Sequence, residues 1–429
     1  MAWKKEKFKT LIEHKSGYTW SKEQETKFPE PKTVRVLTVT NVQKELDLSS
    51  ELYLKDVSEV DKIKKAVSKD WSIAVSSNGN RSRIGNAVYI KEDSEYLFAS
   101  FLTAFKPKED SDILPDYFYR WLTSHNIQER ITAVSEGTTG LGNLDIRFLK
   151  NTEIEYPENP AEQTAIATIL SKVDEAIAAT QNSIKAAEKL KKALMQNLLT
   201  GKLKPDGTWR TEDEFYEDEK FGKVPLGWEV TSVNDLVNRK TDTIDPTKST
   251  EIFDYVGLEH IEPGEFIRVG KSKSDETLAL KVIFGKGDLL YGKLRPYLNK
   301  VWIADISGVG STEFLVFEKN EFSEWVYLNF QTKRFLDFTL SMTAGTQHPR
   351  ASWRDVKKFQ IIKPSDYSDL QLISNKILST EKDKLDKQTK IQTLQRLKKS
   401  LMQNLLTGKV RLPQEFIAQF EKVEETIKS

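Results

Sequence analysis

LKKALMQNLLTGKL, residues 190–203, returns near the other end of the chain as LKKSLMQNLLTGKV, residues 397–410, identical at 12 of 14 positions. The offset is 207 residues, close to half of the 429-residue chain. A repeat of this length signals structural units built to one plan. Upstream, the same offset relates Ile154 and Pro157 to Ile361 and Pro364, and a one-residue shift relates Gly137-Thr138 to Gly345-Thr346. The chain therefore reads as tandem halves, each a divergent globular region followed by a similar helical one.

Working backwards from the first copy, small and apolar residues recur at Ile166, Leu170, Val173, Ile177, Thr180, Ile184, Ala187, Leu190, Leu194 and Leu198. Steps that alternate mostly between three and four mark the seam of a coiled coil. Pro160 suits a first turn, and Gly201 supplies a left-handed cap just past the end. About 39 residues at 1.5 Å each predict a rod of roughly 58 Å. The second helix, predicted over 368–406, carries the stripe at Leu370, Ile373, Ile377, Ile391, Leu394, Leu397, Leu401 and Leu405. Its middle is weaker, with Thr380, Lys384 and Lys387 where the first helix has Val173, Ile177 and Thr180. A lone helix with this much apolar surface is unstable in water, so each needs a partner. An antiparallel pairing of the two satisfies that need, as do two separate coiled coils that each mediate self-association. Short links into globular regions at opposite ends favour the antiparallel pair.

The boundaries expected on this basis are a globular region over 1–157, a long helix over 158–203, a linker over 204–223, a second globular region over 224–364, a second long helix over 365–410 and a tail over 411–429. The linker contains PDGTWRTEDEFYEDEKFGK and is acidic and turn-prone; the tail has helical spacing at Phe416, Phe420 and Val423 and is expected to dock back on the helices. In the second globular region, residues 285–319 (GKGDLLYGKLRPYLNKVWIADISGVGSTEFLVFEK) form short β-rich runs punctuated by Gly, Pro and Asp. A helical piece, 324–342, and a polar loop, AGTQHPRASW at 344–353, follow. The first region keeps that order: 70–93 (DWSIAVSSNGNRSRIGNAVYIKED), the helical 116–134, then EGTTGLGNLD at 136–145. Strand cluster, helix, polar loop and exit strand indicate a mixed α/β domain used twice.

The halves differ most in the strand cluster and the polar loop. The first offers Ser76, Asn78, Asn80, Arg81 and Arg83, with Thr138 and Thr139 in its loop; the second offers Lys293, Arg295, Tyr297 and Lys300, with Gln347, His348 and Arg350. Arg, Lys, Asn and Gln can make paired hydrogen bonds to base edges, and Ser or Thr can approach closely. With 65 Lys+Arg against 64 Asp+Glu the chain has no global basic field, so affinity for nucleic acid must come from local patches. Residues 281–300 hold five basic residues and one acidic, and residues 331–360 six basic and two acidic.

Other classes are poorly supported. There is no cysteine, which excludes disulfides, thiolate zinc sites and cysteine nucleophiles. No apolar run approaches the ~18 residues of a membrane span, and the N-terminus lacks a secretory apolar stretch, so a cytoplasmic protein is expected. His14, His125, His260 and His348 are dispersed without ligand-like spacing, and no GxxxxGK[ST] loop occurs. Neither an Asn/Asp-Pro-Pro-Tyr/Phe segment nor a Gly-rich loop for a methyl donor is present. Pro205-Asp206 with Asp218-Glu219-Lys220 looks like a nuclease carboxylate–lysine set, but sits in the linker rather than on strands.

The two-fold arrangement, the GDLLYGKLRPYLNK segment, the Gly-Thr loops and the LKKxLMQNLLTGK helix ends resemble the specificity subunits of Type I restriction-modification systems. The resemblance spans roughly 36–410. It implies a mixed α+β fold: two target recognition domains joined by two long helices that form an antiparallel coiled coil in pseudo-two-fold symmetry. It implies a non-catalytic chain that binds a bipartite, asymmetric double-stranded DNA site and docks two modification (methyltransferase) subunits, with restriction-translocase subunits on those. S-adenosylmethionine, ATP and Mg2+ are then expected on the partner subunits and no cofactor on this chain. The first half departs from the pattern, with Asp70-Trp71-Ser72-Ile73 where the second has Gly287-Asp288-Leu289-Leu290. The rival reading is a coiled-coil scaffold whose globular regions bind proteins.

Overall fold

The computed structural model describes residues 2–43, 45–93, 95–135, 141–276, 279–343 and 349–428. The chain forms two compact units, 1–181 with 389–429 and 182–388, so each long helix is divided between them.

Both long helices are 39 residues, Pro160–Leu198 and Tyr367–Leu405. The repeated sequence builds the same ending twice. Gly201 and Gly408 take φ of 67° and 66°, and their N–H groups donate to Leu198 and Leu405 carbonyls. The left-handed backbone disfavours a side chain at both; at Gly201 a Cβ would also lie 2.2 Å from Pro225, whereas at Gly408 it would make a tight contact of 3.2 Å with the Trp3 ring. At the starts, Asn159 Oδ1 accepts from the Ala161 N–H and Asp366 Oδ1 from the Ser368 N–H, satisfying otherwise orphan donors.

In the first unit the strand Trp3–Lys7 pairs antiparallel with Glu153–Pro157, which feeds the first long helix. A four-stranded sheet in the order Ile12–Ser16, Leu102–Pro107, Ser72–Val75, Ala87–Tyr89 carries the core, and helices Pro115–Leu122 and His125–Val134 pack on it. The second unit repeats the plan. Trp228–Ser232 pairs with Gln360–Pro364, matching Trp228 to Pro364 as Trp3 is matched to Pro157. Its four-stranded sheet runs Arg239–Lys240, Phe314–Phe317, Leu289–Gly292, Val301–Ile303, with helices Ser323–Phe330 and Lys333–Thr343. Aligning the sheets places Asp70 where Gly287 stands. Both have positive φ, 73° and 93°, and their N–H groups donate to the equivalent carbonyls of Ile90 and Ala304. Each unit also has a second sheet, four-stranded in the first and five-stranded in the second, containing one parallel pair, Val36 to Leu97 and Tyr255 to Val309.

The helices pair within each unit, and antiparallel. In the first, Ile166 and Leu170 share a core with Met402, Leu405 and Leu406; in the second, Leu194 and Leu198 share one with Leu370, Ile373 and Ile377. Each fully buried Leu or Ile contributes about 1.5–3 kcal/mol. The cores are continuous with those of the domains, including Phe8, Phe105 and Phe118 in one and Trp325, Phe330 and Phe335 in the other. The stripe departs from its expected course at one repeated position. Leu190 and Leu397 are exposed, while the neighbouring Lys191 and Lys398 turn inward to acidic residues of the opposite helix.

The linker carries a hairpin of Phe215–Asp218 with Gly222–Pro225. The tail helix Gln414–Lys428 belongs to the first unit, where Ile417 is buried, Asn159 Nδ2 donates to Glu421, and Arg411 meets the buried Glu162 at 2.7 Å.

Candidate nucleic-acid interface

The strand cluster and the polar loop, far apart in sequence, meet in each unit by the same pairing. In the first, Ser77–Asn78 forms a ladder with Gly142–Asn143, and the Leu144 N–H donates to the Ser76 carbonyl at 2.8 Å. In the second, Leu294 bridges Arg350, the Arg295 N–H donates to Pro349 at 2.9 Å, and the Ala351 N–H donates to Lys293 at 3.0 Å. These pairings make Asn78 equivalent to Arg295, Ser76 to Lys293, and Asn143 to Arg350. Thr138, Thr139, Gln347 and His348 lie outside the described residues.

Side-chain chemistry sorts the remaining candidates. Arg81 and Arg295 are exposed, and neither guanidinium has a partner among the described residues. Arg295 holds a left-handed backbone, φ 51° and ψ 65°, immediately before Pro296. Tyr297 is half-exposed. Arg350 is exposed and sits 3.2 Å from Glu313. Ser76 and Asn78 are half-buried, and Asn78 Oδ1 accepts the Asn80 N–H at 2.8 Å. Asn80 in turn caps the short helix Arg81–Arg83 through Ser82. Burial lowers the pKa of Lys293, partly offset by the Glu313 carboxylate.

Two predicted residues are committed to the fold. Arg83 donates to the carbonyls of Val39 and Val42 at 3.0 and 2.8 Å, and Lys300 Nζ donates to that of Leu258 at 2.7 Å. Lys281, one of the five basic residues in 281–300, is also buried, donating to Ala279 and lying over the Tyr255 ring. The local positive excess at the surface is therefore smaller than the residue count. Sequence reasoning passed over Asn143, an exposed amide beside Ser77; its signal was membership of the loop at 136–145. Asp288 is also internal, accepting from the N–H groups of Gly285 and Lys319 and from Lys240 Nζ. The Gly-Asp-Leu-Leu run is thus a folding device that seats the strand Leu289–Gly292, which leads into Lys293 and Arg295.

Residues 2–189 match the family model described as the Type I restriction modification DNA specificity domain. Over these residues, somewhat less than half of its length, the chain resembles that specificity domain. The chain is similar, at 25% identity over 320 residues, to the Type I restriction enzyme MjaIX specificity subunit of Methanocaldococcus jannaschii, covering 70% of each chain. It is 22% identical over 271 residues to the EcoDI specificity subunit of Escherichia coli, covering 58% of this chain and 59% of that one. In fold it is similar to the crystal structure of a Type I restriction-modification S subunit from M. genitalium, with a TM-score of 0.59 at 16% identity over 94% of this chain and 96% of that one. That likeness of fold extends over both units and both long helices.

Proposed function

We propose that this chain is the DNA-specificity subunit of a Type I restriction-modification complex, reading an asymmetric bipartite site with one half-site per unit. The observation that carries the reading is the twofold surface where strand cluster and polar-loop exit meet on one backbone frame bearing different side chains. Asn78 and Asn143 stand in one unit where Arg295 and Arg350 stand in the other. A frame kept constant while its forked polar groups change suits two readers of two sequences. In this reading the chain is a non-catalytic cytoplasmic component that seats two modification subunits and, through them, restriction-translocase subunits. S-adenosylmethionine, ATP and Mg2+ act on those partners.

The test is to add the chain to purified methyltransferase subunits and measure affinity for specific against scrambled duplexes at two salt concentrations. Site-specific affinity appearing only with the chain supports the reading. Assembly without any gain in sequence discrimination would leave the scaffold reading in its place.

A further inference from the structure

The apolar stripes of the long helices repeat by heptads, so packing alone admits antiparallel pairings displaced by seven residues. The charged pairs do not. In the first unit Asp174 meets Lys398 at 2.5 Å; in the second Lys384 meets Glu188 at 3.2 Å and Lys191 meets Glu381. The residue numbers of every one of these pairs (174 with 398, 188 with 384, 191 with 381) total 572. A single register therefore serves both units, and the 207-residue repeat relates Asp174 to Glu381 and Lys191 to Lys398.

Displacement by one heptad sets Asp174 opposite Leu405 or Ile391, Glu381 opposite Leu198 or Ile184, and Glu188 opposite Ile391 or Ile377, depending on direction. Lys398 then faces Gln181 or Ala167, and Lys191 faces Gln388 or Ser374. No displaced setting gives any of these five a charged partner of opposite sign. Glu381 and Lys384 are only 4% and 9% exposed, and a buried charge that loses its partner is strongly destabilising. The same groups seat the domains. Arg120, 3% exposed on the helix Pro115–Leu122, donates to Asp174 at 2.5 Å and to Ser171 at 2.7 Å, and Lys384 also binds Glu265 at 2.8 Å.

We infer that Asp174, Lys191, Glu381, Lys384 and Lys398 are the register-setting residues of the helix pair, and so determine which spacing between half-sites the complex accepts. The spacing clause rests on the reading of the chain as a bipartite specificity subunit; the register clause does not.

The chain has no cysteine, so introduced pairs report register directly. In the full chain assembled with its methyltransferase subunits, Leu194→Cys with Leu378→Cys tests the native setting, and Leu194→Cys with Leu385→Cys the displaced one, on oxidation with copper phenanthroline. With native charges only the first pair crosslinks. In a background of Asp174→Leu, Lys191→Leu, Glu381→Leu and Lys398→Leu the second pair crosslinks too, and methylated sites gain spacers altered by about three base pairs, a heptad being roughly 10 Å. Lys191→Glu alone shifts the crosslink, and Lys191→Glu with Glu381→Lys restores it. Native-only crosslinking in the leucine background, or a Lys191→Glu defect that the reversed pair fails to rescue, overturns the inference. If the native complex methylates no bipartite site, the DNA reading falls while the crosslinks still decide the register.

Discussion

Arg295 holds a left-handed backbone, which costs an L-residue on the order of 1–2 kcal/mol. Its setting is over-determined: its N–H donates to Pro349, its carbonyl accepts from Leu298, and a proline follows. Strain retained under an exposed guanidinium that has no partner among the described residues points to use of the side chain. Arg295→Lys keeps the charge and loses the fork, so it is expected to relax discrimination at one base pair of one half-site by ~1–3 kcal/mol with little change in salt dependence. Arg81→Lys does the same in the other half-site. Titration against a panel of single-base duplex variants checks both, and equal losses on every sequence would mean that these arginines touch phosphate. Lys300 behaves differently. Its bond to the Leu258 carbonyl is part of the fold, so Lys300→Met is expected to destabilise the second unit by about 1–3 kcal/mol and leave the salt slope of DNA binding unchanged. Thermal unfolding and salt-dependent binding on one preparation separate these effects.

At the scale of elements, the long helices were legible because periodicity and caps are local properties: Pro160, Gly201 and Gly408 mark helix boundaries that any reader of backbone chemistry would place. Leu190 and Leu397 misled because periodicity registers an apolar side chain but not the acid across the seam that draws in the adjacent lysine. Of the candidate site, the sequence offered residue types but not their assembly. Arg83 and Lys300 find acceptors 41 to 44 residues away in the chain, a proximity created only by the sheets. The single register also governs how the spacer can be lengthened. Four residues inserted near Ser183 in the first helix alone break the heptad phase on one strand of the pair. Seven residues inserted after Ser183, with seven more at the facing position after Thr389 in the second helix, preserve the charge pairs on both sides. That double insertion is expected to lengthen the unread spacer by about three base pairs, from roughly 10 Å of added helix, while both half-sites stay unchanged. Methylome sequencing reads the result; an unchanged spacer refutes the helices as the ruler.

For the whole molecule, a formal charge of +1 and the internal use of Lys281, Lys300 and Arg83 leave little field with which to hold DNA alone, so the proposed reading requires the modification subunits to supply much of the phosphate contact. The repeat indicates where one partner type would dock. Folding explains the identity of Gly201 with Gly408 and of Leu198 with Leu405, which are capping and core positions. It does not explain why Lys192 and Gln196 are matched by Lys399 and Gln403, all exposed, in halves whose recognition surfaces have diverged. The same exposed chemistry presented once per unit suits two copies of one partner subunit. Lys192→Glu with Gln196→Glu is therefore expected to remove one modification subunit and leave the other, and Lys399→Glu with Gln403→Glu to remove the second independently. Native mass spectrometry should then move from two partners per chain to one for either variant and to none for the combination. A stoichiometry unaffected by either pair, or lost completely with one pair alone, would show that these matched faces are not two separate docking sites.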